Sequence, residues 1–400
     1  MNTSRRCAAR FPDLTRTPEI CKNVSTFGQK RWLASSPSEV NLAPATDSSS
    51  ITSEEINRAR TYCLDLLRRS DTPSSLLLPY IPSVARDAYV ALRAFNIDVA
   101  RTADTTSTPT IGAMRLEFQR DAMRKALAGT PPKQPIALLL AAAAQDLQYR
   151  SGGKATFSRG WLQRIIDTRQ KHLSNAPFPT MASLESYSEN TYSTLLYLTL
   201  QALPMSSLTA DHLASHIGKA AGIAAMLRGL PLIAFLGPSP AHSNQGSFGG
   251  DVGTTRRGAV MLPVDIMVEA GVREEDVLRQ GASAAGLRDA VFAVATRAND
   301  HLITARQMLA NIRAGAEAGH DFEHADEEEH VQRSMQKAAA TETPAQEIER
   351  AFGVFMPALS TQMWLDQLQK CDFDVFNDKL RRTNWKLPFK AYWAYSRRQI

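Results

Sequence analysis

The stretch RDAYVALRAFNIDVARTAD, residues 86–104, decides how the rest of the chain is read. It is rich in Ala and apolar residues and lacks a sustained alternation of apolar and polar positions, so it predicts a helix over about residues 84–103. The same texture recurs on both sides. At residues 53–69, Glu54 and Glu55 fall in a first turn and Ile56, Ala59, Cys63 and Leu66 recur at helical spacing. Further helices are expected at 111–127, 134–149, 158–173, 181–203, 210–229, 262–270, 273–280, 286–314 and 347–370. Strand-turn-strand signals are absent, and no period of about 20–50 residues is visible. The expected fold class is therefore all-α, a single helical bundle over residues 53–400.

Composition limits the function classes. The 400 residues are 44% hydrophobic and 22% charged, as in ordinary globular proteins. The longest unbroken apolar run, residues 136–144, is about half of the roughly 20 residues that a membrane span needs, so no span is expected. The first 33 residues hold Arg5, Arg6, Arg10, Arg16, Lys22, Lys30 and Arg31 against Asp13 and Glu19. With interspersed hydroxyl residues and no apolar core, this reads as a mitochondrial transit peptide rather than a secretory signal; the simpler alternative is a basic tail without an address. Cleavage is expected after Leu33, and residues 34–52, rich in Ser, Pro, Thr and Ala, read as a flexible linker.

Residues 1–33 carry five of the chain's six net positive charges, so the basic character gives no support for nucleic-acid binding. Beyond them only Cys63 and Cys371 remain, without the spacing of a disulfide framework or a zinc site. Two stretches interrupt the helical texture and read as insertions. Residues 231–255 are dense in Gly, Pro and Ser, and residues 315–344 surround the acidic run Asp326, Glu327, Glu328 and Glu329. The first reads as an irregular surface loop and the second as a mobile acidic segment or a frayed helix, with disorder the expectation for both.

Residues 86–104, together with YSENTYSTLLYLTL (187–200), HIGKAAGIAAMLRG (216–229) and RRGAVMLPVDIMVEAGVREEDVL (256–278), resemble the squalene/phytoene synthase family. The resemblance runs from about Ile56 to the C-terminus. It implies an isoprenoid-synthase helical bundle in which two Asp-rich motifs hold Mg²⁺ against substrate diphosphates. Magnesium requires oxygen ligands, and the ions neutralise the departing diphosphate. In this chain the first motif falls on Ala100-Arg101-Thr102-Ala103-Asp104, keeping only Asp104. Asp98 lies about 200° around a continuous helix from Asp104, and Arg101 would repel a cation. The second motif falls on Gly229-Leu230-Pro231-Leu232-Ile233 after Arg228, without a carboxylate, and Pro231 is expected to prevent the helix from continuing.

The degraded pattern resembles a mitochondrial sub-branch of that family whose members assist assembly of respiratory complex I. The resemblance implies a pseudoenzyme in the matrix, peripheral at the inner membrane, partnered by complex I subunits or intermediates. Asp98, Arg101, Asp104 and Arg228 would be remnants, with no catalytic, cofactor or metal residues. Two alternatives remain: a prenyl-diphosphate transferase holding phosphate through Arg93, Arg101 and Arg228, and an isoprenoid or lipid carrier.

Other constellations have simpler explanations. His212 and His216 stand at i, i+4 but lack the His-Glu-x-x-His pattern, so structural roles are expected. His320, His324 and His330 flank the acidic run, where a mobile segment would give no fixed geometry. Gly246, Gly249, Gly250 and Gly253 lack the context of a phosphate loop. At the C-terminus Arg381, Arg382, Lys386, Lys390, Arg397 and Arg398 interleave with Trp385, Phe389, Tyr392, Trp393 and Tyr395. This fits an anionic membrane surface, though the simpler expectation is a last bundle helix with its aromatics packed.

Overall fold

Local capping chemistry starts many of the helices. The Thr52 side chain accepts from the Glu55 backbone N–H while the Glu55 carboxylate accepts from Thr52 N, a reciprocal capping box. Ser158, Thr180, Ser207 and Thr343 cap later helices with their hydroxyl oxygens. The computed structural model describes residues 51–106, 108–203, 205, 207–235, 258–335, 342–382 and 384–400. The expected transit peptide and the linker to residue 50 lie outside the described residues, as do residues 236–257, which hold most of the first interruption and its glycines.

Helices of eight residues or more are numbered α1 (Ser53–Ser70), α2 (Arg86–Ala100), α3 (Pro109–Leu127), α4 (Pro135–Arg150), α5 (Arg159–Lys171), α6 (Met181–Ser188), α7 (Thr194–Gln201), α8 (Leu208–Ala234), α9 (Leu287–Arg313), α10 (Glu328–Met335), α11 (Pro357–Lys370) and α12 (Leu387–Arg397). No strand occurs among the described residues. Helices α1, α2 and α4 pack on one another, α3 lies on α4 and α5, and α8 lies against α6, α7, α9 and α11. Trp161, Tyr89, Tyr197, Phe95, Phe178, Phe352 and Phe355 are fully buried between these layers.

Helix α8 is long and apolar enough, by length and composition, to cross a membrane, which the longest-run criterion missed. Its apolar window is however 67% buried inside the bundle, as a core helix requires. Its backbone runs close to the segment joining α6 to α7. That segment is a π turn, Glu189–Ser193, and it places buried Glu189 to accept from Tyr197 Oη and from Ser215 Oγ at 2.7 Å. The expected continuous helix at 181–203 is thus interrupted by one wide turn.

Three expectations need correction. First, α8 does not stop at Gly229: it continues through Pro231 to Ala234. Proline forfeits a single hydrogen bond to Leu227 O, and the buried side chains of Leu230, Pro231 and Ala234 hold the last turn against the bundle. Second, the helix expected over 347–370 divides into Pro344–Arg350, Phe352–Phe355 and α11. Gly353 lies so close to the backbone of Tyr80 that a Cβ would stand 2.0 Å from Tyr80 O.

Third, the second interruption is not irregular throughout: it contains α10, and contacts at His330 and Glu327 tie it to the bundle. His330 is fully buried, its Nδ1 3.1 Å from Asp211 Oδ2 at the start of α8, with its ring among Trp161, Tyr197 and Phe322. Arg164 on α5 pairs with Glu327 and, at 3.2 Å, with Glu329. The acidic run is therefore partly neutralised by a cation far away in sequence.

Burial works to raise the Glu327 carboxyl, but hydrogen bonds from His324 and Arg164 outweigh it and hold the pKa at about 2. A depressed carboxylate pKa stabilises the fold above the unfolded value of 4.5, and this contribution is lost as pH falls through about 2. Glu327→Gln is expected to flatten the stability curve between those pH values relative to the parent chain. Urea midpoints measured across that range check it, and parallel curves would count against the Glu327 contacts.

The C-terminal helix also departs from the simpler expectation. Leu387 and Ala391 are buried, and the Tyr395 ring packs against that of Tyr80, tilted by 43° with centroids 5.0 Å apart. Trp385, Phe389, Tyr392 and Trp393 are instead exposed, at 72%, 65%, 62% and 58%. At about 100° per residue, Phe389, Tyr392 and Trp393 fall on the face opposite Leu387 and Ala391, so docking one face leaves the other in solvent.

Candidate functional site

The end of α2 and the far end of α8 carry the residues singled out by the resemblance. Asp98 lies toward α3, where it accepts from Arg115 Nη2 at 3.2 Å and from Gln119 Nε2. Arg101 caps α2 and is exposed. Asp104, in the short helix Thr102–Thr105, is among the charges acting on Arg169 of α5. The two carboxylates thus serve different partners. Arg228 on α8 lies over the ring of Trp364, 5.2 Å from its centroid.

The Arg169 guanidinium, on which Asp104 acts, lies among phenol groups. Arg169 donates to Tyr187 Oη and, at 3.3 Å, to Asn96 Oδ1, and it lies over the rings of Tyr187 and Tyr192. Burial opposes its charge, yet the phenols of Tyr187 and Tyr192 together with Asp104 raise its pKa. Arg93, buried on α2, lies 5.3 Å from the ring centroid of Tyr89, and its Nε has no hydrogen-bond partner among the described residues. Sequence reasoning named Arg93 but missed Arg169, Tyr187 and Tyr192, because α5, α6 and the π turn meet only through packing.

A second polar constellation lies along the first half of α8. The structure joins His212 and His216 to His320, which comes from the segment expected to be mobile, while His330 enters the core and His324 pairs with Glu327 at 2.9 Å. The i, i+4 spacing was legible; the third histidine, more than a hundred positions away, was not. Burial and the neighbouring histidines hold His212 at about 4 and His216 at about 2, so both imidazoles are neutral at ordinary pH. Burial would raise Glu185, but hydrogen bonds from His301 and Arg297 keep it at about 2. These groups line a cavity of about 310 Å³ with Lys219, Thr304, Glu323 and His324.

Comparison with known proteins gives the family of the chain. Squalene/phytoene synthase matches residues 67–238 and 247–387, most of the described chain. A dehydrosqualene synthase structure superposes with a TM-score of 0.58 at 12% identity, covering 86% of this chain and 99% of that one. A squalene synthase from Alicyclobacillus acidocaldarius gives 0.53 at 12% identity, covering 81% and 97%. At such identities these likenesses establish the isoprenoid-synthase fold. NADH dehydrogenase (ubiquinone) complex I, assembly factor 6 of Mus musculus is 34% identical over 331 residues, covering 83% of this chain and 80% of the relative. The Homo sapiens protein of that name is 33% identical over the same shares, and the Drosophila melanogaster homolog is 28% identical over 333 residues. The chain therefore belongs to the squalene/phytoene synthase family and, within it, to the group of the complex I assembly factor 6 proteins.

Proposed function

We propose that this chain is a non-catalytic assembly factor for mitochondrial respiratory complex I, built on a squalene/phytoene synthase scaffold that no longer holds the Mg²⁺–diphosphate clamp. The observation that carries the reading is the pair of positions where the clamp belongs. Residues 100–104 offer one carboxylate, Asp104, with the Arg169 guanidinium acting on it, and residues 229–233 offer none. Without paired carboxylates, magnesium has no oxygen cage, and a departing diphosphate is left without its neutralising ions. The names of the relatives support complex I as the partner.

The chain acts on the matrix side, peripherally at the inner membrane, after removal of residues 1–33. The exposed aromatic face of α12 supports this placement. Lys390 and Arg397 flank that face, and Arg397 lies over the ring of Trp393. Rings of this kind settle at headgroup depth while cations meet anionic lipid. Flotation with anionic vesicles tests the contact, and Phe389→Ala combined with Trp393→Ala should weaken it.

Depletion of this protein in its own cells is expected to lower assembled complex I on native gels, with restoration by the full chain. Restoration by an Asp104→Ala variant is equally expected, because no catalytic metal depends on that carboxylate. Mg²⁺-dependent turnover of farnesyl diphosphate by the purified chain would overturn the non-catalytic reading.

A further inference from the structure

The histidine constellation on α8 has a geometry that hydrogen bonding alone does not satisfy. His320 Nε2 lies 3.0 Å from His212 Nε2 and 2.9 Å from His216 Nε2. One ring nitrogen carries at most one proton, so His320 cannot donate a full hydrogen bond to both neighbours. The three ligand atoms all lie within 4.8 Å of one another. A tetrahedral ion with metal–nitrogen bonds of about 2.05 Å would set its nitrogens about 3.3 Å apart, a few tenths of an ångström wider than these spacings.

The surrounding contacts fix which nitrogen of His216 is free. Glu185 Oε1 lies 2.7 Å from His301 Nε2, and Arg297 donates to the same oxygen at 2.6 Å. A carboxylate only accepts, so His301 carries a proton on Nε2, and as a neutral imidazole it presents a bare Nδ1. That atom is 3.1 Å from His216 Nδ1, which with a neutral His301 is the protonated nitrogen of His216. The Nε2 lone pair of His216 is left facing His212 and His320. A carboxylate acting through a hydrogen bond to orient a ligating imidazole is a recurrent support of metal sites, here extended by one ring.

We propose that His212, His216 and His320 bind a zinc ion, with Glu185 and His301 as positioning residues and the remaining coordination position open to the adjoining cavity. Two ligands come from one face of α8 at i, i+4 spacing, which gives them a rigid base. The third comes from a segment that the buried Asp211–His330 pair and the Arg164 ion pairs hold in place. Imidazole nitrogens suit zinc and neighbouring transition ions, whereas magnesium prefers oxygen, so this site owes nothing to the family's magnesium motifs. Of the nearby cations, Lys219 pairs with Glu323 at 3.1 Å and Arg297 pairs with Glu185. Leu213 follows His212 where a metalloprotease helix has its glutamate, so that helix supplies no general base of that kind.

The test is a titration of the chelator-stripped full chain with Zn²⁺ against a chromophoric competitor, followed by X-ray absorption of the loaded sample. Uptake of one ion per chain with nitrogen ligands at about 2.0–2.1 Å is the expected result. His320 is exposed on an irregular segment, so His320→Ala should fold and bind zinc at least about 100-fold more weakly. Glu185→Gln, which leaves every ligand in place, should weaken binding by about 10–100-fold, and His172→Ala, outside the cavity, should leave it unchanged. No zinc uptake by the folded chain would overturn the proposal, as would uptake that both His320→Ala and His216→Ala leave undiminished.

Discussion

Replacing Gly218 by Ala is expected to destabilise the protein by about 3 kcal/mol, because the added methyl would stand against main chain rather than against a movable side chain. A Cβ at this position would lie 2.3 Å from Ser193 Cα and 2.4 Å from Ser193 N. Ser193 belongs to the π turn and is itself tied to α8 by donating from Oγ to Ser215 O at 2.9 Å. One turn further on, a Cβ at Gly222 would lie 2.5 Å from Ser188 Cβ and 2.9 Å from its Cα. The two glycines form the strip along which α8 crosses the α6–α7 segment, so the strain can be relieved only by separating the helices. That separation would expose Leu195, Leu198 and Ile217, all of which are fully buried.

Gly229→Ala is the matched comparison. Its nearest neighbour would be Ile233 Cδ1 at 3.8 Å, and helix propensity should make that variant more stable by up to about 1 kcal/mol. Denaturant midpoints of the two variants should thus move in opposite directions. A loss below about 1 kcal/mol for Gly218→Ala would mean that the close approach does not constrain the crossing.

Breaking the Asp211–His330 pair is expected to cost a similar amount, about 3 kcal/mol, and to do so locally. Both side chains are fully buried, and His330 Nε2 already lacks a hydrogen-bond partner. Asp211→Ala would take the carboxylate from His330 Nδ1 and leave the imidazole inside a ring of Trp161, Tyr197 and Phe322. His330→Ala would leave a cavity in the same aromatic box, adding the loss of packing to that of the polar contact. In either variant residues 315–327 lose their deepest anchor, so proteolysis there should quicken before the bundle unfolds. The double variant should cost less than the sum of the single ones, since both remove one shared contact. Additive losses would show that the pair does not act as a unit.

The helical frame was legible because its signals are local. Periodicity, acids in a first turn such as Glu54 and Glu55, and the absence of strand patterns depend on neighbours a few positions apart, and the expected helices match α1 to α5 and α9 to within about three residues. The blocks that carry the family resemblance were legible for the same reason. So was the spacing of His212 and His216. What the sequence left open depends on contacts between positions far apart. Whether Pro231 ends α8 is decided by burial of that last turn, and whether residues 315–335 are ordered is decided by Asp211 and Arg164. Composition placed aromatics and cations together in α12, but only docking through Leu387 and Ala391 determined which rings face solvent. The convergence of His320 on His212 and His216 belongs to the same class. A hydrogen-bonding or ligating side chain acts over a few ångströms, and distances of that size between residues a hundred positions apart are set by packing alone.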